Sequence, residues 1–231
     1  MIRELEAEFK ARMHRTLYFD GVDDYVRVEN VEIEPSITVI VWAKSATPVF
    51  NTSGWFVSSR VPNGFILHPK TGLKVFYVAI FDSEGVYKNL CLYALENITV
   101  WHQYGFIYDA DANKIYLIVD GKIVCVEKAE ITRKPGTISI EIGRDHGYPD
   151  RFGHGFISEI LIYNRVLSES EVRYLYNNPF SPIFSGLTLW LAPASIDIAN
   201  GKWWDLSGKG NHGTIYGATE VNLVKPEVEV L

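Results

Sequence analysis

The chain of 231 residues is 47% hydrophobic and 13% aromatic, which is enough apolar surface for one domain to fold without a disulfide or metal. Lys and Arg total 22, and Asp and Glu total 28, which gives a formal net charge of −6. Because no basic run alternates with aromatic residues, we expect no nucleic-acid partner. No segment has the apolar length that predicts a membrane span or a secretory signal.

Residues 1–16 are predicted to form an N-terminal helix or arm. Ile2, Leu5, Phe9 and Met13 recur at helical spacing, with charged residues between them. Such an apolar stripe has to cover either the chain's own domain or a neighbouring subunit.

From residue 17 the apolar period changes to two, which is typical of half-buried strands. Between successive runs lie turn signals, the clearest of which is Asp120-Gly121. This pair accepts positive φ at both positions and predicts a type I′ hairpin. So many short strands favour two packed sheets, since a single wide sheet would leave one face uncovered. The predicted strands are 16–19, 25–29, 37–43, 55–59, 65–68, 73–81, 86–93, 99–108, 114–119, 123–127, 137–142 and 156–163.

The end of the chain carries one predicted helix and a second group of strands. Ser168 and Glu171 form a capping box that begins a helix near residues 169–177. A stiff Pro- and Gly-containing connection leads to a run at 187–191, a turn-rich stretch at 205–213 and a last strand at 214–216. Residues 17–217 are therefore predicted to form the sandwich, and residues 218–231 a C-terminal tail.

Two cysteines, Cys91 and Cys125, lie in separate predicted strands. Two are too few for a disulfide framework, and neither has a second Cys or His at the spacing of metal ligands. We expect two buried thiols, with a single disulfide as the alternative.

Several segments resemble, in the same order, the laminin-G-like and concanavalin A-like lectin and glucanase family. The resemblance implies an all-β, two-sheet antiparallel jelly-roll sandwich. The matching segments are residues 19–26, 37–43 with Trp42, 101–102, 116–121, 142–144, 155–160 and 163–168.

The order departs from the family at the end of the chain. Residues 187–191 and 205–216 resemble the family's opening segment, which normally precedes the strand at residue 19. Circular permutation is the favoured explanation, since the termini of sandwiches often lie close together. The alternatives are a fragment of a tandem array and exchange of these strands with a neighbouring subunit.

Catalysis is not expected. Glycoside hydrolysis generally needs two carboxylates on one face, and the strand around Glu159 carries one acid. Glu32 and Glu34 alternate but precede Pro35 in a stretch with loop character. No nucleophile elbow or phosphate-binding loop is present in the sequence.

A calcium site is predicted from two acidic turns. Asp20, Asp23 and Asp24 crowd one turn, and the loop after residue 142 adds Asp145 and Asp150. Ca²⁺ takes six to eight oxygen ligands, and members of the resembled family often hold it at a sheet edge. The alternative is that the acids of the first turn cap backbone amides.

A glycan site is predicted where loop aromatics lie beside polar side chains, because sugars stack their C–H faces on rings. The alternatives are an ordinary solvated loop and, for the two tryptophans, one ring in the core and one at an interface. The candidate residues are Asp145, Tyr148, Arg151, Phe152 and His154, with Trp203 and Trp204.

Two functions follow from these features. The first is a non-catalytic structural or assembly subunit, such as a virion or extracellular-filament component, that self-associates through its terminal segments. The second is a carbohydrate- or cell-surface-binding module assisted by Ca²⁺. The expected location is a virion or an extracellular assembly, with the cytoplasm as the alternative.

Overall fold

The computed structural model describes residues 14–148 and 150–222, and these form the predicted antiparallel two-sheet sandwich. The back sheet has the strand order β10-β9-β8-β3-β12. On the other side of β12, the first half of β12 pairs with β1 and the second half pairs with β13. The strand β16 in turn pairs with β1. These strands are β1 (Arg15–Asp20), β3 (Ile37–Ser45), β8 (His102–Asp109), β9 (Lys114–Val119), β10 (Lys122–Lys128), β12 (His154–Tyr163), β13 (Leu187–Asp197) and β16 (Thr219–Asn222).

The front sheet has the order β14-β15-β2-β11-β4-β5-β6-β7. The strand β13 joins the sheets, because Leu191 at its middle and Ile196 near its end pair with Asp205 and Trp203 of β14. The front strands are β2 (Tyr25–Ile33), β4 (Val57–Ser59), β5 (Phe65–Pro69), β6 (Val75–Phe81), β7 (Tyr87–Ala94), β11 (Gly136–Ile142), β14 (Lys202–Asp205) and β15 (Gly213–Tyr216).

One large core fills the space between the sheets, and it is built by the alternation of apolar side chains along each strand. In β2, Val26 and Val28 point inward while Tyr25 and Arg27 remain partly exposed. The central strand β3 is buried on both faces, because its outer face is covered by the helix α1 (Glu169–Asn177).

The helix α1 begins as predicted. The Ser168 side chain accepts a hydrogen bond from Glu171 N, and the Glu171 carboxylate accepts one from Ser168 N. Val172 and Leu175 are buried, and the Tyr176 ring stacks on Trp42 at 5.6 Å. No helix in the described part of the chain has the length and apolarity to cross a membrane.

The expectation of two free thiols is wrong in this structure, because Cys91 and Cys125 form a disulfide. Cys91 lies in β7 and Cys125 in β10, the outer strands of the two sheets. Their Cα atoms are 5.8 Å apart, within the range that a disulfide spans. The bond therefore joins the two sheets at one side, as β13 joins them at the other.

The ends of the chain differ from the predicted boundaries. The N-terminal helix at 1–16 lies almost wholly outside the described residues, and Arg15 already begins β1. Part of the predicted tail forms the strand β16, and residues 223–231 are outside the described part. An additional strand, β14, precedes the turn-rich stretch at 205–213, and Glu32 lies in β2 rather than in a loop.

The displaced segment completes the sandwich of this single chain. Strand β13 pairs with β12, and β15 pairs with β2 in the register Tyr216 to Tyr25. An exchanged segment would occupy the equivalent position in a neighbouring copy, so permutation and exchange both stay predictions.

Candidate functional site

The loop from Gly143 to Gly153 joins β11 to β12 and is organised around the buried carboxylate of Asp145. Arg60 donates to Asp145 through Nε at 2.6 Å and Nη2 at 2.9 Å, and Arg151 donates through Nη1 at 3.0 Å. Asp145 is fully buried, whereas the Arg151 side chain is 37% exposed. The guanidiniums of Arg60 and Arg151 are thus both held by the carboxylate of Asp145 at the base of the loop.

Tyr148 packs on these two arginines and remains at the surface. Its ring centre is 4.6 Å from the Arg60 guanidinium carbon and 4.0 Å from that of Arg151. The backbone N–H of Tyr148 donates to the Asp145 carbonyl, and the Arg151 N–H donates to the Tyr148 carbonyl. Because ring and backbone are both fixed, Tyr148, which is 41% exposed, forms a rigid aromatic surface.

Beneath the loop, His68 is fully buried, and neither ring nitrogen has a hydrogen-bond partner among the described residues. Burial lowers the pKa of His68 to about 3, so its ring is neutral although it lies 3.9 Å from Asp145 Oδ1. The ion pairs of Asp145 are therefore made by the two arginines alone.

The acidic turn after β1 lies at the same end of the sandwich. Asp20 pairs with His154 across β1 and β12, and a Cβ on Gly21 would lie 2.9 Å from the His154 Cβ. The positive φ of Gly21 and this close approach both require glycine. Asn51 connects the loops further, since it donates to the Phe152 carbonyl and accepts from His154 N.

The carboxylates of Asp20, Asp23 and Asp24 lie within 4.8 Å of one another and form the one such group found in the described residues. Burial raises the pKa of Asp24, and the charges of Asp20 and Asp23 raise it further. Clustered hard oxygens fit Ca²⁺. Two of these carboxylates also accept local backbone hydrogen bonds, Asp24 from Asp20 N and Asp20 from Val22 N, as the turn-capping alternative predicts.

The acids of the second loop do not join this group. Both oxygens of Asp145 are occupied by arginines, and Asp150 is exposed on the loop surface. Asp145 and Asp150 thus lie outside the group of three acids, and Asp145 anchors the loop.

The remaining predicted residues of the loop have separate environments. Phe152 is half-buried, with the Arg144 guanidinium carbon 5.7 Å from its ring centre. His154 Nε2 lies 2.9 Å from the Tyr18 hydroxyl. Both line the same loop end as Tyr148.

The structure places the two neighbouring tryptophans away from this loop and on opposite faces of β14. Trp203 is fully buried and donates from Nε1 to the Ala192 carbonyl, so it offers no surface to a ligand. Trp204 is 38% exposed and lines a surface pocket. Trp203 is therefore the ring that packs in the core, and the placement of Trp204 at an interface stays a prediction.

Arg60 and Asn51 belong to the loop end but were not predicted from the sequence. Their partners lie 85 and about 100 positions away, and no local pattern encodes such pairings. The burial of one tryptophan of the Trp203–Trp204 pair did have a sequence signal, since adjacent residues of a strand point to opposite faces.

An antiparallel two-sheet sandwich of this kind is a lectin-like jelly roll. Residues 20–173 match the model of the Concanavalin A-like lectin/glucanases superfamily, and the chain belongs to that superfamily. No curated protein matches the chain.

Among solved structures, a putative carbohydrate binding protein from Bacteroides ovatus is similar, with a TM-score of 0.69 and 20% identity. The alignment covers 93% of this chain and 61% of that protein, so the chain spans about three fifths of its length. A heptameric SAP-like pentraxin from Limulus polyphemus has a TM-score of 0.56 and 12% identity, covering 74% of this chain and 86% of the pentraxin.

Domain 4 of an extracellular arabinanase from Geobacillus stearothermophilus, solved in complex with arabinotriose, has a TM-score of 0.51 and 17% identity. The alignment covers 64% of this chain and 69% of that domain. At these identities the similarity is one of fold.

Proposed function

We propose that this chain is a non-catalytic saccharide-binding module. The observation that carries the proposal is the exposed Tyr148 ring, fixed on two guanidiniums that are themselves anchored by the buried Asp145. An aromatic surface that is rigid before binding loses little conformational entropy when a ligand contacts it. The same class of ligand is supported by two similar structures, the putative carbohydrate binding protein from Bacteroides and the Geobacillus domain in complex with arabinotriose.

In this proposal a sugar ring contacts the Tyr148 ring with its apolar C–H face. Its hydroxyls bond to the exposed part of Arg151, whose guanidinium lies against that ring. A carbohydrate site of this kind combines few polar groups with an apolar surface.

Ca²⁺ is proposed to bind at the turn of Asp20, Asp23 and Asp24. Three crowded carboxylates repel one another, and a dication would relieve that repulsion. The ion's contribution would be to fix the turn that adjoins His154 and to offer coordination positions to sugar hydroxyls.

The absence of catalysis is part of the proposal. Glycoside hydrolysis needs two carboxyl groups that flank the substrate. At the loop end, Asp145 is held by two arginines and Glu141 accepts from Arg144 Nε at 2.8 Å, so neither is available as an acid or a base.

The test is a glycan array probed with the full chain, with and without Ca²⁺ chelator, followed by titration of each saccharide that binds. Tyr148→Ala should weaken binding about tenfold. Tyr174→Ala is the matched control, because Tyr174 is 46% exposed on α1, on the opposite side of the back sheet from the core. No binding to any glycan, or equal binding by both variants, would refute the proposal.

A second candidate function is assembly, as a structural subunit of a virion or an extracellular filament. The observation that favours it is β16, which pairs with β1 alone among the described strands and so presents an open edge for strand addition. Light scattering over a range of concentrations tests it. The proposal expects a mass that rises with concentration, and a constant monomer mass would reject it.

A further inference from the structure

We infer that the pocket beside Trp204 is a second saccharide site, built from other residues than the loop site. The pocket has a volume of about 370 Å³, within the roughly 300–1,000 Å³ of small-ligand sites. It is lined by Trp204, Ile198, Asp197, Arg15 and Glu220, with a wall of small residues around Ser195.

Trp204 is held in place although its ring is at the surface. Its Nε1–H donates to Asp197 Oδ2 at 3.1 Å, and the ring meets His212 edge-on with centres 4.8 Å apart. This contact holds the ring, of which 38% remains exposed. A large exposed aromatic ring with a fixed orientation is a feature of ligand-binding surfaces.

Asp197 acts as a positioning residue for that ring. Its carboxylate also accepts from Asn200 N at 3.2 Å and from Asn200 Nδ2 at 2.8 Å. The short 3-10 helix Ile198–Asn200 is thereby fixed to the same carboxylate. Ile198, which is exposed at the start of that helix, adds apolar area to the pocket.

Arg15 and Glu220 supply polar groups on the other wall. Arg15 Nη1 lies 3.2 Å from Glu220 Oε1, and both side chains are partly exposed. A guanidinium beside a carboxylate offers donors and acceptors to neighbouring sugar hydroxyls.

The two sites share no residue, because none of residues 143–154 lines the Trp204 pocket. Arg15, in the pocket, begins β1, and Asp20, in the acidic turn, ends it, and five residues of strand span roughly 16 Å. A polymeric glycan that contacts both sites would gain avidity over a short one.

The experiment titrates the full chain with arabinotriose, xylotriose, cellotriose and maltotriose, followed by tryptophan fluorescence and calorimetric stoichiometry. At least one trisaccharide should shift the emission, and Trp204→Ala should remove one binding site or weaken it about tenfold. Asp197→Ala should weaken binding and increase acrylamide quenching, since the ring loses its anchor. Trp101→Phe, at a half-buried indole outside the pocket, should bind like the wild type.

The outcomes separate this inference from the loop site. If Tyr148→Ala abolishes all binding and Trp204→Ala retains the wild-type affinity and stoichiometry, the second site is overturned and the loop site stands. No response to any of the four trisaccharides would also overturn the second site.

Discussion

Replacing Asp145 with Asn tests whether the loop is anchored as described. The substitution keeps the size of the side chain and removes the charge that holds Arg60 and Arg151. Charge-assisted hydrogen bonds contribute roughly 1.5–3 kcal/mol each, and three are made here. Because the Arg151 side chain is 37% exposed, it recovers hydration, and we expect a loss of about 2–4 kcal/mol, mainly from Arg60.

That loss corresponds to a fall in Tm of about 5–15 °C for a chain of this size, measurable by calorimetry. The matched control is Asp150→Asn in the same loop, where an exposed carboxylate should change the free energy of unfolding by less than about 0.5 kcal/mol. Saccharide binding at Tyr148 should weaken in the first variant only. If Asp145→Asn unfolds within about 0.5 kcal/mol of the wild type, the anchoring role is wrong.

Three further predictions concern the fold. Burial raises the pKa of Glu159 to about 7, so between pH 4.5 and 7 the folded state keeps a proton that the unfolded state has lost. The free energy of unfolding should therefore fall by about 3 kcal/mol over this range. Glu159→Gln should flatten this pH dependence in urea titrations. Reduction of the Cys91–Cys125 bond, with a sequence separation of 34, should cost about 3–4 kcal/mol by the same titration; no change in midpoint would contradict the bond. Gly121→Ala should lower the free energy of unfolding by about 1–2 kcal/mol, because the φ of Gly121 is +71° and the new Cβ would lie 2.7 Å from Tyr176 Cβ. An unchanged Tm would contradict this.

Features encoded by neighbouring residues were predicted from the sequence. The Asp120-Gly121 turn has the positive φ values of 48° and 71° that its residues favour. The helix cap at Ser168 has both hydrogen bonds of the predicted box. Most strands begin and end within two residues of the predicted runs, since alternation along the chain reports which face is buried.

Features that depend on distant pairings were not predicted. Nothing local to Cys91 shows that β7 and β10 meet at the side of the sandwich. The Asp145 anchor needs Arg60 from 85 positions away, so the sequence indicated a ligand or metal role for a residue that holds the loop. Trp203 is buried because it lies in the short strand β14, which was not among the predicted strands.

The most direct test of saccharide binding at these loops is chemical-shift mapping by NMR, with the full chain titrated by a saccharide that it binds. The account predicts that the shifted amides cluster in residues 143–154 and 197–205, at the Tyr148 loop and the Trp204 pocket. Shifts confined to α1 or to strands away from both sites would contradict it.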